Sequence, residues 1–339
     1  MCWRSIVDIA TDAHKRQEFF LMSKLSLSAL TQGILSYTAE QLGMFWRKVT
    51  SKEIGSRTPT GFAALDEFIG GGLRSGLYIL MAVPGAGKTT LAMQIMDNIA
   101  IGGRDVIFFS AEMRVDDLMA KLLSRHSLKT AHPMDANEIL ALGNRPDAVS
   151  IAEELSAIYH PCAEHTIIVP RDQIDSLKAV ERMLLEYQEA TGQTPVVIID
   201  YLQQLAAKFP AGTDKQAVDA VLTEIGDLSV KMDLPIILVS SVSRASYGKV
   251  LSMSACKDSG TIEYAADVIM GLDCIESEQS TNDCDEYPDR PRKVKLTLPK
   301  NRFGRRGASV DLTFDAKYNN FTEVRKRNTS GSKPTNGTY

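Results

Sequence analysis

The nine residues AVPGAGKTT, at positions 82–90, form a glycine-rich stretch that ends in lysine and threonine. An apolar run, LYILMA at 77–82, comes before it, and apolar residues recur at helical spacing after it, from 89 to 100. A strand, a glycine-rich turn and a helix start form a phosphate cradle, because backbone amides point at the phosphate oxygens and small residues allow a close approach. This stretch therefore predicts a P-loop that binds a nucleoside triphosphate.

The residue types in this loop have separate expected tasks. Lys88 is expected to reach the β- and γ-phosphates, and the Thr89 hydroxyl to complete the shell of a magnesium ion. The strict pattern has glycine where this chain has Ala82, which is a mild departure because alanine is also small. The expected cofactors are ATP and Mg²⁺, and the residues expected to contact the nucleotide are Pro84, Gly85, Ala86, Gly87, Lys88, Thr89 and Thr90.

Two carboxylates at the ends of later apolar runs extend this prediction. The run VVII at 196–199 delivers Asp200 to the carboxyl edge of a sheet, where ligands bind in such folds. Asp200 is therefore expected to orient the metal, although an isolated Asp in this position is as often a helix cap. Glu112 follows the run DVIFFS at 105–110 and is the candidate catalytic base. A surface or salt-bridge role is the alternative for Glu112.

The order of apolar runs predicts the fold class. Continuous apolar runs at 105–110, 166–169, 195–200 and 235–240 alternate with helix-period segments, as in a parallel sheet covered on both faces. Short strands at 268–272, 293–298 and 309–314 are expected to extend the sheet as hairpins. We therefore predict an α/β fold with a mostly parallel central sheet, helices on both faces and late antiparallel strands.

Composition limits the class of protein. The 339 residues carry a net charge of −4 and contain no apolar stretch long enough for a membrane helix, so no membrane partner is expected. The negative charge gives no support for a duplex-coating protein, although a channel can be basic on an acidic body. Five scattered cysteines without a CxxC pair indicate free thiols and a cytoplasmic location.

The chain divides into three predicted parts. Residues 1–57 form an N-terminal extension and helical linker, with apolar positions at helical spacing between 22 and 47. Those helices either dock on their own core or pack on a neighbouring subunit, and the pattern favours neither. Residues 58–324 form the core, and residues 325–339 form a basic, disordered tail.

The order of motifs resembles one family. The chain is similar to the RecA-like ATPase domain of DnaB-type hexameric replicative helicases over residues 58–324. The motifs that carry the resemblance are TGFAALDEFIGGG (60–72), AVPGAGKTT (82–90), SAEM (110–113), IIDYLQQL (198–205), SSVSR (240–244), KDSGTIEYAADVIM (257–270) and LPKNRFGRRG (298–307).

The resemblance implies an ATP-dependent, ring-shaped helicase, a hexamer that acts on single-stranded DNA in replication with a primase or loader as further partners. It assigns Lys88 and Thr89 to nucleotide and magnesium, Glu112 to catalysis and Asp200 to the metal. Lys300 and Arg302 would reach the γ-phosphate bound by the neighbouring subunit. The implied DNA-binding residues lie in and before a channel loop, namely Arg244, Lys249, Lys257, Asp258 and Gly260.

The chain departs from the family pattern in two respects. Ser241 stands where the family usually has a glutamine that senses the γ-phosphate, and Ser240, Ser243 or Gln203 are the alternatives for that task. The 57 residues before the core are also too few for the family's N-terminal collar domain. A RecA-like or KaiC-like regulatory or recombination-mediator ATPase without unwinding activity is therefore the second functional expectation.

Overall fold

The computed structural model describes residues 38–51, 57–207, 213–242, 260–275 and 290–324. The chain divides into two compact units, one up to Ser56 and one from Arg57 onward. In the first unit, helix α1 (Thr38–Thr50) exposes Leu42, Phe45 and Trp46. The predicted helical segment at 22–47 is thus helical from 38 onward, and its earlier part lies outside the described residues.

The second unit alternates helices and strands before it ends in strands alone. The helices are α2 (Ala63–Phe68), α3 (Lys88–Ile101), α4 (Val115–Ser127), α5 (Ala136–Leu140), α6 (Ala148–Ala163), α7 (Leu177–Thr191), α8 (Leu202–Ala206), α9 (Asp214–Lys231) and α10 (Gly260–Ala265). The strands are β1 (Gly76–Ala82), β2 (Val106–Ser110), β3 (Thr166–Val169), β4 (Val196–Asp200), β5 (Pro235–Ser241), β6 (Val268–Cys274), β7 (Arg292–Asn301), β8 (Ser309–Asp315) and β9 (Asn320–Glu323).

These strands form one sheet in the order β3-β2-β4-β5-β1-β6-β7-β8-β9. The pairs from β3 to β6 are parallel, and those from β6 to β9 are antiparallel. The predicted mostly parallel sheet with late antiparallel strands is confirmed. Strand β9 was not expected, because its four residues contain a single large apolar side chain, Phe321.

Two hydrophobic cores lie on opposite faces of the sheet, and β1 contributes to both. Tyr78, Leu80 and Ala82 pack in one core, while Leu77 and Ile79 pack in the other. A strand covered on both faces has no position that favours a polar side chain, which explains why its sequence is apolar throughout.

Three helices meet in a buried polar network behind the P-loop helix. Asp97 on α3 pairs with Arg125 and contacts His126 Nε2 at 2.7 Å, and Cys162 Sγ lies 3.9 Å from the same nitrogen. Lys129 Nζ lies 3.4 Å from His126 Nδ1. Because the Arg125 guanidinium already balances the carboxylate, we interpret this group as a structural hydrogen-bonded network. Among the described residues, neither Cys162 nor Cys274 forms a disulfide.

Helix α7 begins at Leu177, because the Ser176 side chain accepts a hydrogen bond from the Ala179 amide and ends the preceding turn. Helix α6 was not expected, since its sequence includes Pro161. None of the helices in the described part of the chain is both long and apolar enough for a membrane span.

Candidate nucleotide-binding and catalytic site

Four strand ends meet at the carboxyl edge of the sheet. In the parallel register, Ser110 lies opposite Asp200, and Ala82 lies opposite Ser241. Strands β4 and β5 join these two pairs side by side. The loops that leave these strands therefore converge at one edge, the position at which open α/β sheets bind ligands.

The P-loop between β1 and α3 has the geometry of a phosphate cradle. Gly87 precedes α3 with φ of 94°, and a Cβ there would lie 2.9 Å from Phe321 Cζ. Gly85 has φ of 78°, and a Cβ there would meet none of the described atoms within 4 Å. Within the described chain no side chain caps the start of α3, so the first amides of this helix remain available to an anion.

A hydrogen bond between Thr89 and Asp200 joins the start of α3 to the end of β4. The Thr89 hydroxyl donates to Asp200 Oδ2 at 2.8 Å, and the Lys88 ammonium donates to the Val83 carbonyl at 3.1 Å. Burial lowers the pKa of Lys88, and the carboxylates of Asp200 and Glu112 partly offset that effect. A half-buried lysine that donates to a carbonyl is well suited to a further anionic ligand.

Asp200 is 1% exposed, and burial raises its pKa to about 6. The nearby carboxylate of Glu112 adds to this rise, while the Thr89 hydroxyl, Lys88 and Lys121 oppose it. Hydroxyl and carboxylate oxygens are the ligands that Mg²⁺ prefers. The two residues Thr89 and Asp200 therefore fit a magnesium ion, whose charge would compensate the buried carboxylate.

We expect Asp200→Asn to raise the stability of the protein without nucleotide or metal at neutral pH. Because the folded pKa of Asp200 lies above the ordinary value of 3.8, ionisation penalises the folded state increasingly as pH rises from about 4 to about 6. The advantage of asparagine should therefore be about 1 kcal/mol larger at pH 7.5 than at pH 5. Urea unfolding at both pH values measures this difference, and an advantage that shrinks as pH rises would contradict it.

Glu112 lies in the turn that follows β2, and Lys121 lies on α4, the next helix along the chain. The Ser110 hydroxyl donates to the Met113 carbonyl at 2.8 Å, and the Ala111 amide donates to the Asp200 carbonyl, so the turn that carries Glu112 is anchored to β4. Glu112 is exposed and lines the same cavity as the P-loop. Burial lowers the pKa of Lys121, which the carboxylates of Asp200, Asp117 and Glu112 partly offset.

Lys121 was absent from the sequence-based site. Helix α4 places the Lys121 side chain at the cavity, beyond the loop that carries Glu112. The orientation of this side chain depends on how α4 packs and is not evident from the local sequence. The sequence signal for Lys121 was the helical spacing of α4, which places this lysine on a partly buried face of the helix.

The cavity beside the P-loop has a volume of about 480 Å³. Its far wall comes from the antiparallel strands, where Arg292 donates to the Gly85 carbonyl at 2.8 Å and its guanidinium lies 5.0 Å from the centre of the Phe314 ring. Phe314 stacks on Phe321 with ring centres 4.2 Å apart. The Gln94 side-chain amide donates to the Phe321 carbonyl and accepts from the Phe321 backbone amide. These two hydrogen bonds hold β9 against α3. This aromatic and cationic wall was not predicted from the sequence.

Gln203 lies against the position where Ser241 replaces the expected glutamine. Its amide nitrogen donates to the Ser240 hydroxyl at 3.1 Å, and its amide oxygen accepts from the Ser241 backbone at 3.4 Å. Ser241 lines the cavity. A glutamine amide is thus present at this strand end, supplied by α8.

Lys300 and Arg302 lie at the opposite edge of the sheet. Arg302 pairs with Asp267 at 2.9 Å, and the Asp267 amide donates to the Leu77 carbonyl at 2.8 Å. Leu77 lies at the start of β1, whereas the P-loop follows Ala82, so the strand separates the two features by about 16 Å. Among the contacts of the described residues, neither cation touches the P-loop of its own chain.

The predicted DNA-contacting loop is described only at its end. Gly260 is the first residue of α10, while Arg244, Lys249, Lys257 and Asp258 lie outside the described residues. Their role stays a prediction.

The glycine-rich loop follows a buried parallel strand, Thr89 at the start of α3 bonds Asp200 at the end of β4, and Glu112 and Lys121 lie beside them. Together these features define a P-loop nucleotide-binding domain of the RecA-like type. Residues 58–323 match the family described as DnaB-like helicase C terminal domain. The chain belongs to this family.

Known relatives agree with this assignment. The chain is 30% identical over 263 residues to the replicative DNA helicase DnaB of Treponema pallidum, covering 77% of this chain and 55% of that protein. It is similar in fold to a DnaB-like replicative helicase that was solved to examine its interactions with primase, with a TM-score of 0.70 at 21% identity, over 95% of this chain and 76% of that one. A KaiC-like protein of Pyrococcus horikoshii gives a TM-score of 0.52 at 19% identity, over 80% of this chain and 99% of that one. The chain spans a little over half the length of the curated relatives it matches.

Proposed function

We propose that this protein is an ATP-driven motor that assembles as a hexameric ring, translocates on single-stranded DNA and unwinds duplex. One observation carries the proposal: a single chain holds the phosphate cradle at one sheet edge and the Lys300–Arg302 pair at the other. Two copies placed head to tail bring these edges together. A repeated head-to-tail contact of this kind closes into a ring when the rotation permits.

The proposed activity is therefore the ATP-dependent separation of duplex DNA during replication, with single-stranded DNA as the track. The family match over residues 58–323 supports it, as does the name of the relative from Treponema pallidum. Primase is the partner class that we propose to test first, because a solved relative of similar fold was studied for its interactions with primase.

The phosphate half of the site is proposed to bind ATP through the P-loop. The open side of Gly85 and the uncapped start of α3 supply amides to the β- and γ-phosphates, and Lys88 exchanges its carbonyl partner for phosphate oxygens. The purine and ribose are proposed to lie toward Arg292, whose guanidinium lines the cavity beside the buried Phe314 ring.

Thr89 and Asp200 would hold the magnesium ion, which supplies charge neutralisation at the β- and γ-phosphates when bound. Glu112 is proposed to accept the proton of the attacking water, because it is exposed to the cavity on a turn anchored to β4. Lys121 is proposed to stabilise the negative charge that grows on the γ-phosphoryl oxygens.

The neighbouring subunit is proposed to complete the site with Lys300 and Arg302. Charge develops on the γ-phosphoryl oxygens in the transition state, and cations supplied in trans stabilise it only when the ring is assembled. Gln203 is proposed to carry the sensing task that Ser241 cannot perform, since its amide bonds the end of β5.

We expect Lys121→Ala to lower kcat for ATP roughly 10²-fold, the usual effect of removing one preorganised charge at a transition state. The KM for ATP should change little, because the P-loop supplies most of the ground-state contacts. Steady-state ATPase assays measure both values. The control is Lys215→Ala, which removes an exposed lysine on α9, and equal kcat values for the two variants would contradict the assigned role.

A forked-duplex assay tests the proposed function. One strand carries a label, and strand displacement is measured with ATP and magnesium for the wild type and for Lys88→Ala. Displacement by the wild type alone is expected. ATP hydrolysis that is independent of DNA and unaccompanied by displacement would overturn the helicase proposal.

A further inference from the structure

The Lys300–Arg302 pair is held by one short segment of its own chain. Lys300 Nζ contacts the Glu263 carbonyl, and the Arg302 guanidinium donates to the Tyr264 carbonyl at 3.4 Å. Both carbonyls belong to the last turn of α10, where carbonyl groups have no partner within the helix. The two cations therefore satisfy the open end of α10.

Asp267 fixes the second contact of the guanidinium. Its Oδ1 accepts from Arg302 Nη1 at 2.9 Å, and its backbone carbonyl accepts from the Arg302 amide at 3.0 Å. Its other oxygen, Oδ2, accepts from the Leu77 amide at 2.9 Å. Asp267 is thus attached to the start of β1, which makes it a rigid support for a long and otherwise flexible side chain.

This arrangement leaves part of the guanidinium open to another ligand. A guanidinium has five N–H groups, and the contacts of the Arg302 side chain with other described residues use its two terminal nitrogens. The Arg302 side chain is 54% exposed, whereas Asp267 is 22% exposed. The carboxylate therefore lies behind the arginine, and the remaining donors face outward.

We propose that Asp267 is a positioning residue that aims Arg302 at the ATP bound by the neighbouring subunit. The inference rests on the proposed function, since it requires a site shared between subunits. A guanidinium held at two nitrogens loses less conformational entropy when it meets the γ-phosphate than a freely rotating one does. Asp267 touches neither nucleotide nor magnesium in this account, and it acts through Arg302 alone.

The test is Asp267→Asn, because an amide oxygen can still accept from the Leu77 amide while the negative charge behind Arg302 is lost. We expect kcat for ATP to fall roughly tenfold to a hundredfold, with KM unchanged, as for a misplaced catalytic group. In an Arg302→Ala background, the same change should have no further effect on kcat. Asp311→Asn is the control, because it removes a carboxylate that pairs with Lys295 on the same antiparallel strands.

Mixed assemblies separate this role from a general loss of structure. Asp267→Asn subunits keep an intact P-loop, so mixing them with Lys88→Ala subunits should restore ATPase activity at hybrid interfaces. Restoration by Arg302→Ala subunits but not by Asp267→Asn subunits would overturn this inference alone. Restoration by neither would overturn the shared site itself.

A second variant covers the case in which Asp267→Asn does not fold, as judged by circular dichroism. Asp267→Glu keeps the charge and displaces the carboxylate by one methylene, so the same pattern of lower kcat, unchanged KM and restoration by Lys88→Ala is expected. Wild-type kcat in the folded variants, or additive losses with Arg302→Ala, would contradict the proposal.

Discussion

Arg302→Ala is expected to lower kcat for ATP by roughly 10³-fold or more, the usual contribution of an arginine supplied in trans to phosphoryl transfer. The KM for ATP should stay close to that of the wild type, because in the proposed assembly the P-loop that binds the phosphates belongs to the other subunit. Steady-state ATPase measurements give both values. Arg302 is separated from its own P-loop by the length of β1. The large effect is therefore expected at the ATP bound by the neighbouring subunit.

The control for this prediction is Arg305→Ala. Arg305 is exposed in the same turn, and its carbonyl, rather than its side chain, contacts Asn301. Its replacement should leave kcat within about twofold of the wild type, since surface changes away from contacts have small effects. A loss of less than tenfold for Arg302→Ala, or equal losses for both variants, would contradict the role of Arg302.

Glu112→Gln is expected to abolish most hydrolysis while ATP binding persists. Removing a general base costs roughly 10² to 10⁴ in rate. Binding should persist because Lys88, Thr89 and the loop amides are unchanged. Single-turnover hydrolysis measures the first effect, and titration with a fluorescent ATP analogue measures the second.

The matched control is Asp116→Asn, which removes an exposed carboxylate near the start of α4 that pairs with Arg114. It should hydrolyse ATP at a rate close to that of the wild type. Hydrolysis by Glu112→Gln within tenfold of the wild type would exclude Glu112 as the base. Loss of ATP binding would indicate a structural role instead.

The parts of the site that the sequence predicted are those encoded in short segments. The P-loop, Asp200 and Glu112 each lie directly after an apolar run, and the parallel register brings these runs to one edge. Their positions follow from local patterns together with one general rule for α/β sheets. Their chemical roles stay predictions that the experiments above test.

The parts that the sequence did not predict depend on packing between distant segments. Lys121 reaches the cavity only through the orientation of α4. Arg292 and Phe314 reach the P-loop because the antiparallel strands fold back onto α3, where Gln94 holds β9. No local pattern encodes such contacts across about 200 residues of chain.

The contact between Asp267 and Arg302 is another feature that the sequence did not predict. In the sequence Asp267 is one acidic residue before an apolar strand, and its neighbour Arg302 lies 35 residues away. The pairing of β6 with β7 brings the two together and also sets Lys300 opposite Ile269. The register of β6 and β7 thus determines the edge at which these cations lie, and the proposal of a site shared with a second subunit depends on that position.

We propose that each ATP site is built from two subunits, and mixing two inactive variants tests this shared site most directly. Lys88→Ala subunits lack the phosphate half, and Arg302→Ala subunits lack the cation. In an equal mixture, about a quarter of head-to-tail interfaces combine an intact P-loop with an intact Arg302. ATPase activity well above that of either variant alone is the predicted result. Activity no greater than the average of the two variants, in assemblies shown to contain both, would contradict the account.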